Sequence, residues 1–362
     1  MSIIYKILKL ISGLAELVKF GDLPWRNGCH MAVVLDREIS VADVQDDVNL
    51  LRLCHNQRLE LPSSPTQSNF RVYALLIIEC GNAAAPKYYM IHGTNAEASS
   101  YIGSSICAER SALAKLRFYH SPRLLKVVIS TDNNKPISPG LLCREWICSY
   151  VDLDLKNDVE IILTNCTLDI ISKCGILFLY PFPYLYRQCR RENIEDFASN
   201  ISKSLPSAVS NDISSLLRHT VEYTKHDESN IHPIKFAASI LFKDGTIKSA
   251  AQIKALEYSC SLDPVTQLVT ALDSLRICSE CENDQIQYTV EPVMMVFCDQ
   301  YGVAHAPFGQ GRSLLIERGH TNISIYINTY DTLTKALSCE VISSSSLIPP
   351  PPNGKMLSHD DF

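Results

Sequence analysis

The stretch Gly93-Thr94-Asn95-Ala96-Glu97-Ala98-Ser99-Ser100-Tyr101-Ile102-Gly103-Ser104-Ser105-Ile106-Cys107-Ala108-Glu109-Arg110-Ser111-Ala112-Leu113 decides how this chain reads. Its last part, Cys107-Ala108-Glu109-Arg110, sets a thiol and a carboxylate two residues apart where an apolar-periodic segment begins. Ala112, Leu113 and Leu116 recur at helical spacing, which predicts Cys107 and Glu109 in the first turn of a helix. A helix N-terminus favours negative charge, lowers the pKa of a thiol placed there and prepares it for a metal. Farther on, Ser138-Pro139-Gly140-Leu141-Leu142-Cys143-Arg144-Glu145-Trp146 opens a second predicted helix that carries another thiol.

Working outward, Val41 to Leu61 has apolar residues at helical spacing (Val44, Val48, Leu50, Leu51, Leu53) and is stopped by Pro62-Ser63-Ser64-Pro65. Phe70 to Glu79 and Tyr88 to His92 read as two strands of a hairpin over Gly81-Asn82. After the Cys107 helix come a strand at Leu124 to Ser130, the helix opened by Pro139, and a strand at Val159 to Leu163. This order predicts a mixed sheet covered by helices on both faces, a three-layer α/β/α architecture. Charged residues from Arg187 to Asp196 suggest a linker over 187–210. Beyond it the pattern recurs more weakly. Ile213 to Tyr223 repeats the leading helix, and Lys235 to Gly245 reads as a strand and turn. Leu262-Asp263-Pro264-Val265-Thr266 starts a helix with proline in its first turn. The expected organisation is an extension over 1–40, a domain over 41–186, the linker, a duplicate over 211–342 and a disordered tail over 343–362. The tail rests on the composition of Ser343 to Ser346 and Pro349 to Pro352. In the extension, Ile4, Ile7, Leu8, Ile11, Leu14 and Val18 form one apolar face, interrupted by Lys6 and Lys9, which favours a docking helix over a signal peptide.

Length and composition agree with two soluble domains: 362 residues, 46% hydrophobic and 20% charged. A net charge of −6 and a pI near 5.9 disfavour nucleic acid as a partner and favour a small molecule. No stretch is apolar for long enough to predict a membrane span. Fourteen cysteines, irregularly placed in apolar segments such as Ile78-Glu79-Cys80 and Phe297-Cys298, read as reduced thiols of a cytoplasmic protein.

The two thiol motifs together resemble the signature of the nucleoside-type cytidine deaminases. In that family a His or Cys ligand is followed two residues later by a proton-shuttling glutamate, with Pro-Cys-x-x-Cys at the start of a second helix. The resemblance implies Zn2+, one per chain in the first domain, with Cys107 and Cys143 as ligands and Glu109 as the catalytic proton carrier. It further implies that Arg110 tempers the thiolate charge, that Asn95 and Glu97 hold the ribose hydroxyls, and that Phe70 lies near the base. The substrate would be cytidine or deoxycytidine, and a homodimer could form through the surfaces the family uses for assembly. Position 140 departs from the pattern, because glycine stands where the family has a zinc-binding cysteine. In the second copy Asp263 and Val265 replace the thiol and the glutamate, and Ala306-Pro307-Phe308-Gly309-Gln310-Gly311-Arg312 has neither cysteine.

Catalytic zinc takes three protein ligands and an open position, and the motif here supplies two. Cys148 is five residues along the same helix and faces away from Cys143, while Glu145 reaches only if the helix start unwinds. Cys29-His30, His92 or the second domain are the other sources of a third ligand. Two further classes therefore stand beside the enzyme: a catalytically inactive nucleoside-binding or scaffold protein, and a polynucleotide-editing deaminase, which the acidic charge disfavours. Cys278-Ser279-Glu280-Cys281 is half a zinc site and reads as a loop with two thiols. Gly309-Gln310-Gly311 lacks the context of a phosphate loop and reads as turn chemistry.

Overall fold

A computed structural model of the chain describes residues 36–82, 84–151, 158–187, 189–206, 210–228, 230–277, 287–331, 336–353 and 355–356. The apolar N-terminal face, Cys29-His30 and Cys278–Cys281 lie outside the described residues. Two mixed sheets with helices packed on them make an α/β structure. The first is built from β1 (Arg37–Ile39), β2 (Val72–Cys80), β3 (Lys87–Thr94), β4 (Arg123–Thr131), β5 (Glu160–Thr164), β6 (Ile170–Gly175) and β14 (Lys355–Met356), in the order β1-β3-β2-β4-β5-β6-β14. The second contains β7 (Phe236–Phe242), β8 (Ile247–Ala251), β11 (Pro292–Asp299), β12 (Ser324–Asp331) and β13 (Ala336–Ser343), in the order β13-β12-β11-β7-β8. A separate ribbon pairs β9 (Arg276–Ile277) with β10 (Gln287–Tyr288).

The inner strands read as unbroken apolar runs because helices cover both of their faces. In β2, every residue from Tyr73 to Ile78 is buried. Ala74, Leu76 and Ile78 point to a core shared with Ala112, Leu116, Val127, Ile161 and Ile147. On the opposite face, helices α1 (Val41–Gln45) and α2 (Asp47–Leu59) precede the sheet, and the buried Cys54 thiol of α2 donates to the Tyr73 carbonyl at 3.3 Å. The break between α1 and α2 is chemical: Ser40 and Asp43 cap the first helix reciprocally, and the Asp46 side chain caps the second.

Helices α3 (Ala108–Leu113), α4 (Leu141–Cys148) and α5 (Ile176–Leu179) lie on the Ala74 face of the first sheet. Gly93 of β3 sets the position of α3. A Cβ there would come within 2.3 Å of the Ala108 carbonyl oxygen and 2.6 Å of the Ala112 nitrogen, so only glycine lets the helix backbone approach this strand.

The second half repeats the first in strand order and sense. β2 pairs antiparallel with β3 and β4, β4 parallel with β5, and β5 antiparallel with β6. β7 pairs antiparallel with β8 and β11, β11 parallel with β12, and β12 antiparallel with β13. Helices α7 (Asn211–Tyr223), α8 (Pro264–Ser274) and α9 (Gly309–Glu317) fall where α2, α3 and α4 fall in the first. Both halves belong to one compact unit.

Two expectations are corrected. The stretch 187–210, read as a linker from its charges, contains helix α6 (Ile194–Ser202), whose Ile194, Ala198 and Ile201 are buried in the second core. Its acidic residues Glu195 and Asp196 occupy the first turn, where the helix dipole favours them. The Ser/Pro-rich tail is ordered where it is described. Ser344 donates to the His320 carbonyl at 2.7 Å, Leu347 is fully buried, and Ser172 of β6 donates to the Pro352 carbonyl at 2.8 Å beside the β14–β6 pairing. A sheet edge in need of backbone partners outweighs a composition that otherwise suggests no packing. Among the described residues, no helix is long and apolar enough to cross a membrane.

Candidate active site

Cys107 is the N-cap of α3, with extended backbone angles and a half-buried side chain. Glu109 follows in the first turn and is 4% exposed. Cys143, 1% exposed, lies in the first turn of α4, whose N-cap is Gly140. Arg144 pins that helix start: its buried guanidinium donates to the Pro139 carbonyl at 2.7 Å, the Leu179 carbonyl at 2.7 Å and Ser138 Oγ at 2.6 Å. The Cys107 Sγ, the Cys143 Sγ and a Glu109 carboxylate oxygen lie within 4.8 Å of one another. Among the described residues this is the one His/Cys/Asp/Glu group arranged to hold a metal ion.

The three groups tune one another. Cys107 is pulled down to about 6, chiefly by the hydrogen bond it accepts from the Cys143 thiol and further by Arg110, against the opposing effect of burial. Arg110 Nη2 lies 3.7 Å from Cys107 Sγ and also donates to the Ser105 carbonyl at 3.4 Å. Cys143 is pushed up because it carries the proton of the shared hydrogen bond, and burial adds to this. The pair therefore holds one proton and one negative charge. Glu109 is pushed up to about 7 by burial, with the Cys107 charge adding to it.

A cavity of about 200 Å³ opens beside Cys107 and Glu109, which line it together with Phe70, Asn95, Glu97 and Gly140 among others. All three residues expected near the substrate thus line it, but two are engaged with the protein. Asn95 Oδ1 accepts from the Val72 amide at 2.9 Å, and its Nδ2 donates to the Phe70 carbonyl at 2.8 Å. The Glu97 carboxylate accepts from the Gln67 and Ser68 amides at 2.9 Å each and from Ser68 Oγ at 2.6 Å. These bonds hold Glu97 below the usual carboxylate range, the Ser68 hydroxyl contributing most. The sequence reading did not pick out Thr131, at the C-terminal end of β4, or Ser138, both of which border the cavity. The available indication was topological, since strand ends of open α/β sheets are where ligands sit.

The other ligand candidates are placed elsewhere. Cys148 is buried beside Ile147 in the core, where burial pushes its thiol up to about 12. His92 pairs with Asp36 at 2.8 Å. Glu145 accepts from the Gly309 amide and from Tyr180 Oη, each at 3.2 Å, and so faces the second half. Gly140 itself contributes nothing: a Cβ built on it would meet no atom within 4 Å, and its φ of −62° is open to any residue. Two thiols and a carboxylate match the donor chemistry of a divalent zinc-type ion, while the third-cysteine position is open space.

In the second half the same positions hold other chemistry. Asp263 caps α8 by accepting from the Thr266 amide at 2.9 Å, Val265 takes the second position of that helix, and Phe308 caps α9. No thiol is present in this set.

No family model matches the chain, and no curated protein matches it. Among solved structures it is similar to a cytidine deaminase from Burkholderia pseudomallei, at 27% identity over 38% of this chain and 97% of that one, with a TM-score of 0.30. It is also similar to the enzyme from Mycobacterium leprae, at 16% identity over 39% and 99%, TM-score 0.28. A third similar structure is the cytidine deaminase of Mycobacterium tuberculosis, at 19% over 32% and 85%, TM-score 0.26.

Proposed function

We propose that the cleft of the first half catalyses hydrolytic deamination of a cytidine-type nucleoside. The observation that carries this reading is the convergence of Cys107, Glu109 and Cys143, the first two of which line a cavity that Phe70, Asn95 and Glu97 also border. Zn2+ would be held by the Cys107 and Cys143 sulfurs, and when bound it supplies the Lewis acidity that makes water a nucleophile near neutral pH.

The protein's own residues account for the proton traffic and the positioning. A carboxyl group held near 7 can accept a proton and release it at neutral pH. Glu109 takes a proton from the attacking water and delivers it to the ring nitrogen beside C4. A second proton then reaches the amino group as the C4–N bond breaks, so that water and amine become carbonyl and ammonia. Phe70 presents an apolar face for the base. Glu97, fixed by three hydrogen bonds, keeps lone pairs for ribose hydroxyls. Arg110 holds the Cys107 thiolate ionised.

The test is ammonia release from cytidine by the zinc-supplemented chain, compared with Glu109→Gln. We expect turnover in the parent and a loss of at least about a hundredfold in the variant, the scale of general acid–base catalysis. Turnover that survives the substitution would reject the role given to Glu109.

Two observations favour a second reading. With Gly140 in the place of a ligand and Asn95 bonded to backbone through both its oxygen and its nitrogen, the cleft binds a nucleoside without converting it. Saturable cytidine binding with no ammonia release, at full zinc occupancy, would select that reading.

A further inference from the structure

Cys107 and Cys143 stand at the starts of different helices, yet their sulfurs lie within 4.8 Å of each other and the Cys143 thiol hydrogen-bonds to Cys107. The two differ in access. Cys107 is half-buried and lines the first cavity, whereas Cys143 is buried. Arg110 Nη2 stands 3.7 Å from Cys107 Sγ, so a cation faces the more accessible sulfur. A reachable thiol beside a cation, with a second thiol in contact, is the arrangement in which oxidation ends in a disulfide rather than a higher oxide. Other thiols of this half are placed differently. Cys54 is fully buried and donates to the Tyr73 carbonyl at 3.3 Å, and Cys148 lies in the core beside Ile147.

A metal and an oxidant draw on the same atoms here. Zinc needs both sulfurs as anionic donors, and a bond between them removes both at once. Position 140 adds no donor, so only the Glu109 carboxylate of the cluster would remain.

We infer that Cys107 and Cys143 are a thiol pair that peroxide converts to a disulfide and a dithiol restores, so that the first cleft takes metal only in its reduced form. The Cys107 thiolate attacks one oxygen of hydrogen peroxide. The O–O bond breaks, a sulfenic acid forms on Cys107 and hydroxide leaves. The Cys143 sulfur then attacks the Cys107 sulfur. The S–O bond breaks, the S–S bond forms, and the Cys143 proton departs with the hydroxyl as water. Two electrons pass from the sulfurs to the peroxide. The loss of metal binding rests on the ligand assignment proposed above; the linkage itself does not.

The reduced full chain, freed of metal by a chelator, is treated with hydrogen peroxide, digested without reductant and read by mass spectrometry. A Cys107 peptide joined to the Cys143 peptide is expected. Dimedone present during oxidation should be carried by Cys107, and prior loading with zinc should suppress the linkage. Zinc affinity should fall at least about tenfold on oxidation and return with dithiothreitol. All of these readouts use the parent chain, so none depends on a variant that folds. Peroxide treatment that leaves the two cysteines unlinked, joins Cys107 to a different cysteine, or places dimedone on Cys143 instead would overturn the inference. So would linkage that zinc does not suppress, or linkage with zinc affinity unchanged. Ammonia release from cytidine is measured separately on the reduced, zinc-loaded chain. Its absence while the linkage forms rejects the deamination reading and leaves the thiol pair standing.

Discussion

Under the proposed function, position 140 is where the first cleft lacks a third sulfur. Its backbone is in an ordinary extended conformation, it borders the cavity, and a Cβ there meets open space. A cysteine therefore enters without strain, on the border of the cavity that Cys107 and Glu109 also line. Gly140→Cys should raise zinc affinity at least about tenfold, on the scale at which metal sites respond to a gained or lost partner. Competition against a chromophoric chelator would measure it, and an unchanged affinity would count against the assignment of this position. The low-pKa thiol of Cys107 depends on its partners in the same way, because Cys143 and Arg110 rather than burial draw it down.

Among the elements, helix α8 shows what replaced the thiol in the second half. Asp263 caps the helix with one carboxylate oxygen, while the other is buried without a partner. Burial pushes this carboxyl from 3.8 up to about 7, with nearby Glu145 adding to the shift. The unfolded chain ionises near 4, so between roughly pH 4 and 7 folding retains a proton that unfolding releases. The contribution of Asp263 to stability is thus fully present below about pH 4 and declines as pH rises through 7. Asp263→Asn keeps the cap and removes the titration. Urea unfolding should show the variant gaining on the parent by roughly 4 kcal/mol between pH 4 and pH 8. A pH-independent difference would show that Asp263 does not titrate in this window. Helix α3 is constrained differently, by the missing side chain at Gly93 that brings its backbone against β3.

Across the whole molecule, the two halves are joined by polar contacts as well as apolar packing. The Arg312 guanidinium is 1% exposed and sits 3.8 Å from the Tyr180 ring centroid. It donates to the Pro307, Pro181 and Phe182 carbonyls at 2.6 Å each. From the other side, Glu145 of α4 accepts the Gly309 amide that opens α9. Arg312→Met would fill much of the same volume and remove the buried donor that three carbonyls share. It should cost about 3–5 kcal/mol, as loss of one partner in a buried charged network does. Denaturant unfolding followed by two probes, one in each half, is expected to lose stability in both together. Loss confined to the second half would mean that this contact does not couple them.

Much of this was readable in the chain itself. The apolar runs of β2, β4 and β5, the spacing in α2 and α7, and the proline that opens α8 are local patterns, and each formed the predicted element. The recurrence of these patterns also indicated the repeated strand order. What local pattern did not carry was burial at a distance. The charges over 187–210 concealed the buried stripe Ile194, Ala198 and Ile201, and the proline-rich tail gave no indication that β6 had an edge to cover. The amino-acid order alone placed one thiol at each of two helix starts and a carboxylate beside the first. Only tertiary structure brought the two sulfurs and the carboxylate oxygen to within 4.8 Å of one another, bonded Asn95 to backbone and turned Glu145 toward the other half. Local order sets the period and the caps of each helix, but whether two helix ends meet depends on how the sheet between them twists and packs.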